Sequence, residues 1–195
     1  QDAIANDAKP MNVVFILADD LGWSDTELYG KTKLYNTPNI MRLADLGCTF
    51  NRAYSNSPLC SPTRASILTG KYPARLHMTD WLPGRREFPF QRFKNAEIHQ
   101  HLPFAEVTLA EALKAQGYST AIFGKWHLGE EPSGPLAHGF DVQVPRWNKG
   151  WPRTGYHAPF RLDGLKDTKG DYLTDRLTDE ALKYIEQKKD KPFFL

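Results

Sequence analysis

Two short β-prone runs, each followed by polar or charged residues and separated by helix-type segments, constrain the fold of this chain more than any other feature. The first is Val13-Val14-Phe15-Ile16-Leu17-Ala18, which ends on Asp19 and Asp20. The second is Tyr118-Ser119-Thr120-Ala121-Ile122-Phe123, which leads into Gly124-Lys125-Trp126-His127. Continuous apolar runs of this length mark strands buried on both faces, as in parallel sheets. Helical patterns fill the intervals. Residues 37–46 carry Pro38 at the start, apolar Ile40, Leu43, Ala44 and Leu46, and Gly47 as a stop. Residues 108–116 end at Gly117, and residues 173–188 place Leu177, Ala181, Leu182 and Ile185 on one face. Residues 48–54 read as a further strand, and Phe193-Phe194-Leu195 as the start of another. Strands alternating with helices predict an α/β fold built on a mainly parallel sheet.

With 195 residues, 41% of them hydrophobic and 25% charged, the chain has the make-up of one globular domain. A formal net charge of +2 argues against a nucleic-acid partner or an anionic membrane surface, and the run at residues 13–18 is far too short to span a bilayer. Residues 1–10 read as a polar tail and residues 11–195 as the domain. The sequence begins at Gln1 rather than Met, which fits an exported protein that has lost a signal peptide. In an oxidising compartment Cys48 and Cys60 are one candidate disulfide. Two stretches, residues 81–103 and 130–171, lack periodicity. As long loops they are expected to rim a site, with Trp147, Trp151 and Tyr156 either stacking on sugar faces or pinning the loops to the body.

The chemistry concentrates at Cys60-Ser61-Pro62-Thr63-Arg64. Ser61 suits an N-cap, Pro62 the first helical position and Gly70 the stop, predicting a helix over residues 62–69 with Cys60 just outside its mouth. Unpaired N–H groups and the positive dipole end favour an anion there, and Arg64 adds a planar fork of donors matched to tetrahedral oxyanions. Asp19 and Asp20 stand at the C-terminal end of a strand, where parallel α/β sheets gather ligands, and adjacent carboxylates suit a hard cation between them. Taken alone, an Asp-Asp pair more often caps a turn. Lys125 and His127 are two residues apart, so an extended backbone would point both to one face and turn Trp126 away to pack.

Four segments together carry a resemblance: residues 12–22, residues 37–44, the pentapeptide with its continuation Ala65-Ser66-Ile67-Leu68-Thr69-Gly70, and Gly124-Lys125-Trp126-His127-Leu128-Gly129. In this order they resemble the type I sulfatases, members of the alkaline-phosphatase-like superfamily. The resemblance implies a sandwich with a central, mainly parallel (mixed) sheet flanked by helices, of which this chain holds the N-terminal portion. It implies that Cys60 is oxidised by a formylglycine-generating enzyme to Cα-formylglycine. The hydrate of that aldehyde attacks sulfur, the alcohol leaves, and the second hydroxyl lets the covalent sulfate collapse to free sulfate and aldehyde. Asp19, Asp20 and the modified Cys60 are implied metal ligands for Ca²⁺, with Mg²⁺ the alternative. Arg64 is implied to hold the hydrate or metal-side oxygens, Lys125 the sulfate, and His127 the nucleophile or sulfate oxygens. His138 and His157 match no motif and read as loop residues.

The implied activity is hydrolysis of a sulfate ester. Residues 170–179 are similar to a run in carbohydrate-desulfating branches, which points to a sulfated sugar. The rest of the sulfatase domain is an implied partner, and a periplasmic, secreted or lysosome-like compartment the implied location. Two rival activities remain: a phosphonate or phosphodiester hydrolase of the same superfamily, and non-catalytic binding of sulfated glycans.

Overall fold

The computed structural model describes residues 10–195, so the polar tail expected over residues 1–10 lies outside the described residues except for Pro10. Strand β1 (Ser119–Phe123) lies between β2 (Val142–Val144) and β3 (Phe193–Phe194) in a parallel sheet of order β2-β1-β3. Ala121 pairs with Val142 on one side, and Ser119 with Phe193 on the other. Parallel neighbours need long crossovers. Helix α4 (Leu173–Lys188) supplies the one between β2 and β3, packing Tyr184 on Ala121 and Phe193. Helix α4 has the bounds its periodicity predicts. Its buried line runs through Leu173, Leu177 and Tyr184, so Leu182, expected on the inner face, is exposed.

The first apolar run departs from expectation. Val13 bridges Phe194 in parallel, with Val13 N–H donating to Phe193 O (2.8 Å) and Phe15 N–H to Leu195 O (2.7 Å), which sets the run beside β3. No regular strand forms across residues 13–18, and Ile16 is 80% exposed. A strand needs ladder partners along its length, and apolar content alone cannot make those bonds. Residues 48–54 likewise form a turn rather than a strand, with Phe50 and Tyr54 exposed; they find no ladder partner among the described residues.

Helix α1 (Pro38–Asp45) follows its Pro-start and Gly-stop signals. Helix α3 (Leu109–Ala115) is fixed by a capping box. Thr108 Oγ1 accepts from Glu111 N–H (3.1 Å) and Glu111 accepts from Thr108 N–H (2.7 Å), a device that stabilises a helix by about 1 kcal/mol. The main core gathers Leu76, Met78, Leu102, Trp126 and Phe140 beside Phe194. A second cluster of Phe160, Leu162, Leu165 and Leu173 lies under residues 130–171, so that long stretch has a core of its own. Residues 81–103 contain neither helix nor strand, as their lack of periodicity predicts.

His138 is structural. It is fully buried, stacks on Phe104 (5.4 Å between ring centroids) and shares a hydrogen bond with Ser133 Oγ through Nε2 (3.0 Å). Burial pushes its pKa below the usual histidine value, the charge of Glu111 pulls it back up, and His101 pushes it further down. Below pH about 6.5 the unfolded chain therefore binds a proton that the folded protein refuses. Stability is expected to fall as pH drops from 6.5 toward the folded-state pKa, by at most about 1.4 kcal/mol per pH unit from this group. Urea midpoints measured between pH 8 and 5 should show a shallower decline in His138→Phe, and equal declines in the two proteins would refute the assignment.

Candidate active site

Helix α2 (Cys60–Thr69) carries the pentapeptide. Its N-cap is Leu59, with extended backbone (φ −117°, ψ 154°), so Cys60 is the first helical residue rather than lying outside the mouth. Pro62 then falls at the third helical position, still within the first turn, where a missing N–H breaks no helical bond. Ser61 is no cap. It is fully buried, and its Oγ accepts from Leu82 N–H (3.1 Å), tying the helix to residues 81–103. Gly70 closes the helix in the left-handed region (φ 68°), as predicted.

Cys60 and Arg64 are four positions apart, about one helical turn, so both side chains lie on one face. That face meets the end of the first apolar run. Arg64 donates to Asp19 Oδ1 (2.9 Å) and to the Lys125 carbonyl (2.7 Å), while Lys125 Nζ donates to Asp19 Oδ2 (2.7 Å). Each oxygen of Asp19 is thus held by a different cation. Burial by itself pushes the Asp19 pKa up, but the hydrogen bonds and charges of Lys125 and Arg64 outweigh it and hold the carboxyl below its usual range. Asp19, Asp20, Cys60 and Arg64 line one hollow together with Ser55, Ser57 and Thr63. Asp20 turns the backbone through a left-handed conformation (φ 56°), uncommon for any residue but glycine and most tolerable for Asn and Asp.

Lys125 and His127 do not project to one face. Strand β1 ends at Phe123, Gly124 has φ 115° and His127 φ 57°, so the extended geometry that alternation assumes is lost. Lys125 borders a hollow shared with Asp19, Trp147, Trp151 and Tyr156. His127 borders a neighbouring one with Leu82, Gln100 and Asn148. The two adjoin at Lys149, Gly150 and Trp151. His127 Nε2 lies 2.7 Å from Leu82 O; a carbonyl only accepts, so Nε2 carries the proton and Nδ1 is a free, buried acceptor. Burial pushes the His127 pKa down, the bond to Leu82 opposes this, and Lys125 and Arg64 add to the fall. Gly150 packs directly on this ring: a Cβ there would stand 2.4 Å from His127 Cε1.

Trp126 turns inward as expected, 1% exposed, its Nε1–H donating to Ser133 O (3.0 Å). Cys48 and Cys60 are both free thiols, so the candidate disulfide is absent. His157 pairs with Tyr172 across an isolated antiparallel bridge and stays a loop residue. Lys149 and Gly150 were not singled out by sequence reasoning. Their only signal is position, between Trp147 and Trp151 in a long aperiodic stretch. In the 170–179 run, Arg176 is spent on structure, pairing with Asp179 (2.8 Å) and Glu180 (3.1 Å), while Leu173 and Thr174 border the Lys125 hollow.

A cation at Asp19 and Asp20 is acceptable in kind, because carboxylate oxygens suit Ca²⁺ or Mg²⁺. It is incomplete in number. Among the described residues no three His, Cys, Asp or Glu side chains gather as a metal cluster, whereas Ca²⁺ takes about 6 to 8 oxygens.

Comparison with solved structures defines the class. The chain superposes on the crystal structure of Ps i-CgsB in complex with k-i-k-neocarrahexaose with a TM-score of 0.75 and 30% identity, covering 96% of this chain and 44% of that one. It matches a structure described in complex with its substrate, D-glucosamine-2-N,6-O-disulfate, at TM-score 0.70 and 32% identity, covering 95% of this chain and 33% of that one. These neighbours share the alkaline-phosphatase-like α/β fold.

The sulfatase family model matches residues 11–195, and the chain belongs to the sulfatase family. It is 37% identical over 207 residues to N-acetylgalactosamine-6-sulfatase of Homo sapiens, covering 96% of this chain and 38% of that protein. The chain therefore spans well under half the length of such relatives. No helix among the described residues is long and apolar enough to cross a membrane.

Proposed function

We propose that residues 11–195 form the nucleophile-bearing part of the catalytic domain of a sulfuric ester hydrolase that removes sulfate from a carbohydrate. One observation carries this reading: Cys60 opens into the same hollow as Asp19 and Asp20, while Arg64 and Lys125 converge on Asp19 from residues 45 and 106 positions away in sequence. The family membership and the sugar sulfates named for its relatives support the substrate class.

A sulfate monoester resists attack because its oxygens repel nucleophiles, so preorganised cations supply most of the help. Arg64 and Lys125 bring two positive charges against the carboxylates of Asp19 and Asp20, so a divalent cation held by that acidic pair would leave a net positive edge for a sulfuryl group. The planar fork of Arg64 fixes orientation. Cys60, converted to formylglycine by a maturation enzyme, supplies as its hydrate an attacking oxygen and a second hydroxyl. Asp19 and Asp20 are the residues that would hold Ca²⁺, or Mg²⁺, near that side chain, with further oxygens from outside this pair. Neutral His127, with Nδ1 free to accept, is suited to receive a hydrogen bond or proton from the nucleophile or sulfate side. Export to a periplasmic, secreted or lysosome-like compartment completes the reading.

Intact-mass analysis of the protein from its native host tests the nucleophile, with aldehyde or hydrate at position 60 expected and an unmodified thiol contradicting it. Kinetics on matched aryl sulfate and phosphodiester substrates test the reaction. A large preference for the phosphodiester would transfer the site to that chemistry, and sulfoglycan binding with no turnover would make the chain a binding module.

A further inference from the structure

Trp151 borders three hollows at once. One holds Asp19 and Lys125, the next His127 and Gln100, and the third Trp81, Arg85, Arg86 and Phe88. The three adjoin at this residue, and together they line a groove-like path from the Asp19–Lys125 pair past the indole to the two arginines. Trp151 is 56% exposed, so a large apolar surface faces open space at the centre of the groove. Aromatic walls with a few fixed polar groups are what concave ligand sites use.

Cations are spread along its length. Lys125 stands at one end. Lys149 lies in the middle, its Nζ 5.7 Å from the centroid of the Trp147 ring and 3.5 Å from Glu130 Oε1. Arg85 and Arg86 stand at the far end. Arg85 touches Asp80 at only 3.5 Å, too long a contact to use its five donors, and Arg86 has no ion pair among the described residues. The loop bearing them is braced from within: Asn95 donates to Arg85 O (2.8 Å) and accepts from Gln91 Nε2 (3.2 Å), and Asn95 N–H donates to Glu87 Oε1 (3.1 Å). Such bracing fixes the backbone that carries the two arginines, which lowers the ordering cost of binding.

We infer that this groove takes a linear anionic glycan longer than a disaccharide, one sulfated unit lying at Asp19 and Lys125 while Arg85 and Arg86 hold an anionic group, sulfate or carboxylate, on a more distant unit. Guanidinium forks match both oxyanions. The inference deepens the sulfatase reading and rests on it for the chemistry at the Asp19 end.

The test uses the complete protein and the Arg85→Ala/Arg86→Ala double variant. kcat/KM is measured on a sulfated hexosamine and on a tetrasaccharide of alternating sulfated hexosamine and uronic acid. The wild type should favour the tetrasaccharide by about tenfold or more, equivalent to one good charge-assisted contact. The double variant should lose that preference and keep its rate on the monosaccharide. Removing the remote sulfates, or reducing the remote carboxyls, should each be tried; whichever mimics the double variant names the anion held. No length preference in the wild type, or a variant that slows both substrates alike, overturns the groove. Affinity of Cys60→Ala protein for the same tetrasaccharide, with and without the arginines, separates the two ideas. Arginine-dependent binding by a protein whose wild type hydrolyses no sulfate sinks the sulfatase reading and keeps the groove, while hydrolysis without arginine-dependent binding does the reverse.

Discussion

Cys60→Ala in the complete protein should lower sulfate release by about 10⁴-fold or more, the scale on which removal of a covalent nucleophile acts, and leave the fold intact. Alanine is the best helix former and Cys60 is a half-buried first-turn residue of α2, so the substitution removes a sulfur without opening the core. The stability change should stay within about 0.5 kcal/mol, as for substitutions away from a packed core. Activity and urea midpoint are read on the same preparation. Turnover near the wild-type level would remove Cys60 from the chemistry.

Trp126→Ala should be the most destabilising single change near the site, by about 3–5 kcal/mol. The indole is buried in the main core, meets Phe140 edge-on with ring centroids 6.2 Å apart, and leaves Ser133 O without its donor when removed. Domains have only about 5–15 kcal/mol in hand, so the loss is a large fraction of the total. It also reaches function, because Trp126 is the anchor between Lys125 and His127. Trp126→Phe, which keeps a ring but no donor, should recover most of the stability. Chemical denaturation of the three proteins gives the ordering directly, and a shift under about 1 kcal/mol for alanine would show that the ring is no anchor.

The elements legible in the sequence are those governed by neighbours within a turn or two. Helix α4 has its predicted bounds because apolar spacing repeats from Leu173 to Ile185, through most of its length. Helix α3 starts at Thr108 because the capping residue and its Glu111 partner are three positions apart. The failures share a cause. Residues 13–18 and 48–54 have strand composition, but a ladder requires a partner, and that partner comes from elsewhere in the chain. Ser61 has the right side chain for a cap, yet Leu82 N–H claims its oxygen. The common face predicted for Lys125 and His127 fails at the positive φ values of Gly124 and His127, and nothing in the composition announces the one at His127.

For the candidate site, the sequence by itself supplied the inventory: the pentapeptide, the acidic pair, the Lys-Trp-His segment and a helix carrying Arg64, while the structure brought Cys60 into that helix as its first residue. Helical periodicity and turn chemistry act over a few residues, so a linear reading captures them. Only the tertiary structure decided that Asp19 is gripped by both Arg64 and Lys125, that His127 turns to Leu82, and that Trp151 borders three adjoining hollows. Those contacts close loops of 45 and more residues, and they form because burial of Trp126 and its neighbours repays the entropy of bringing distant segments together.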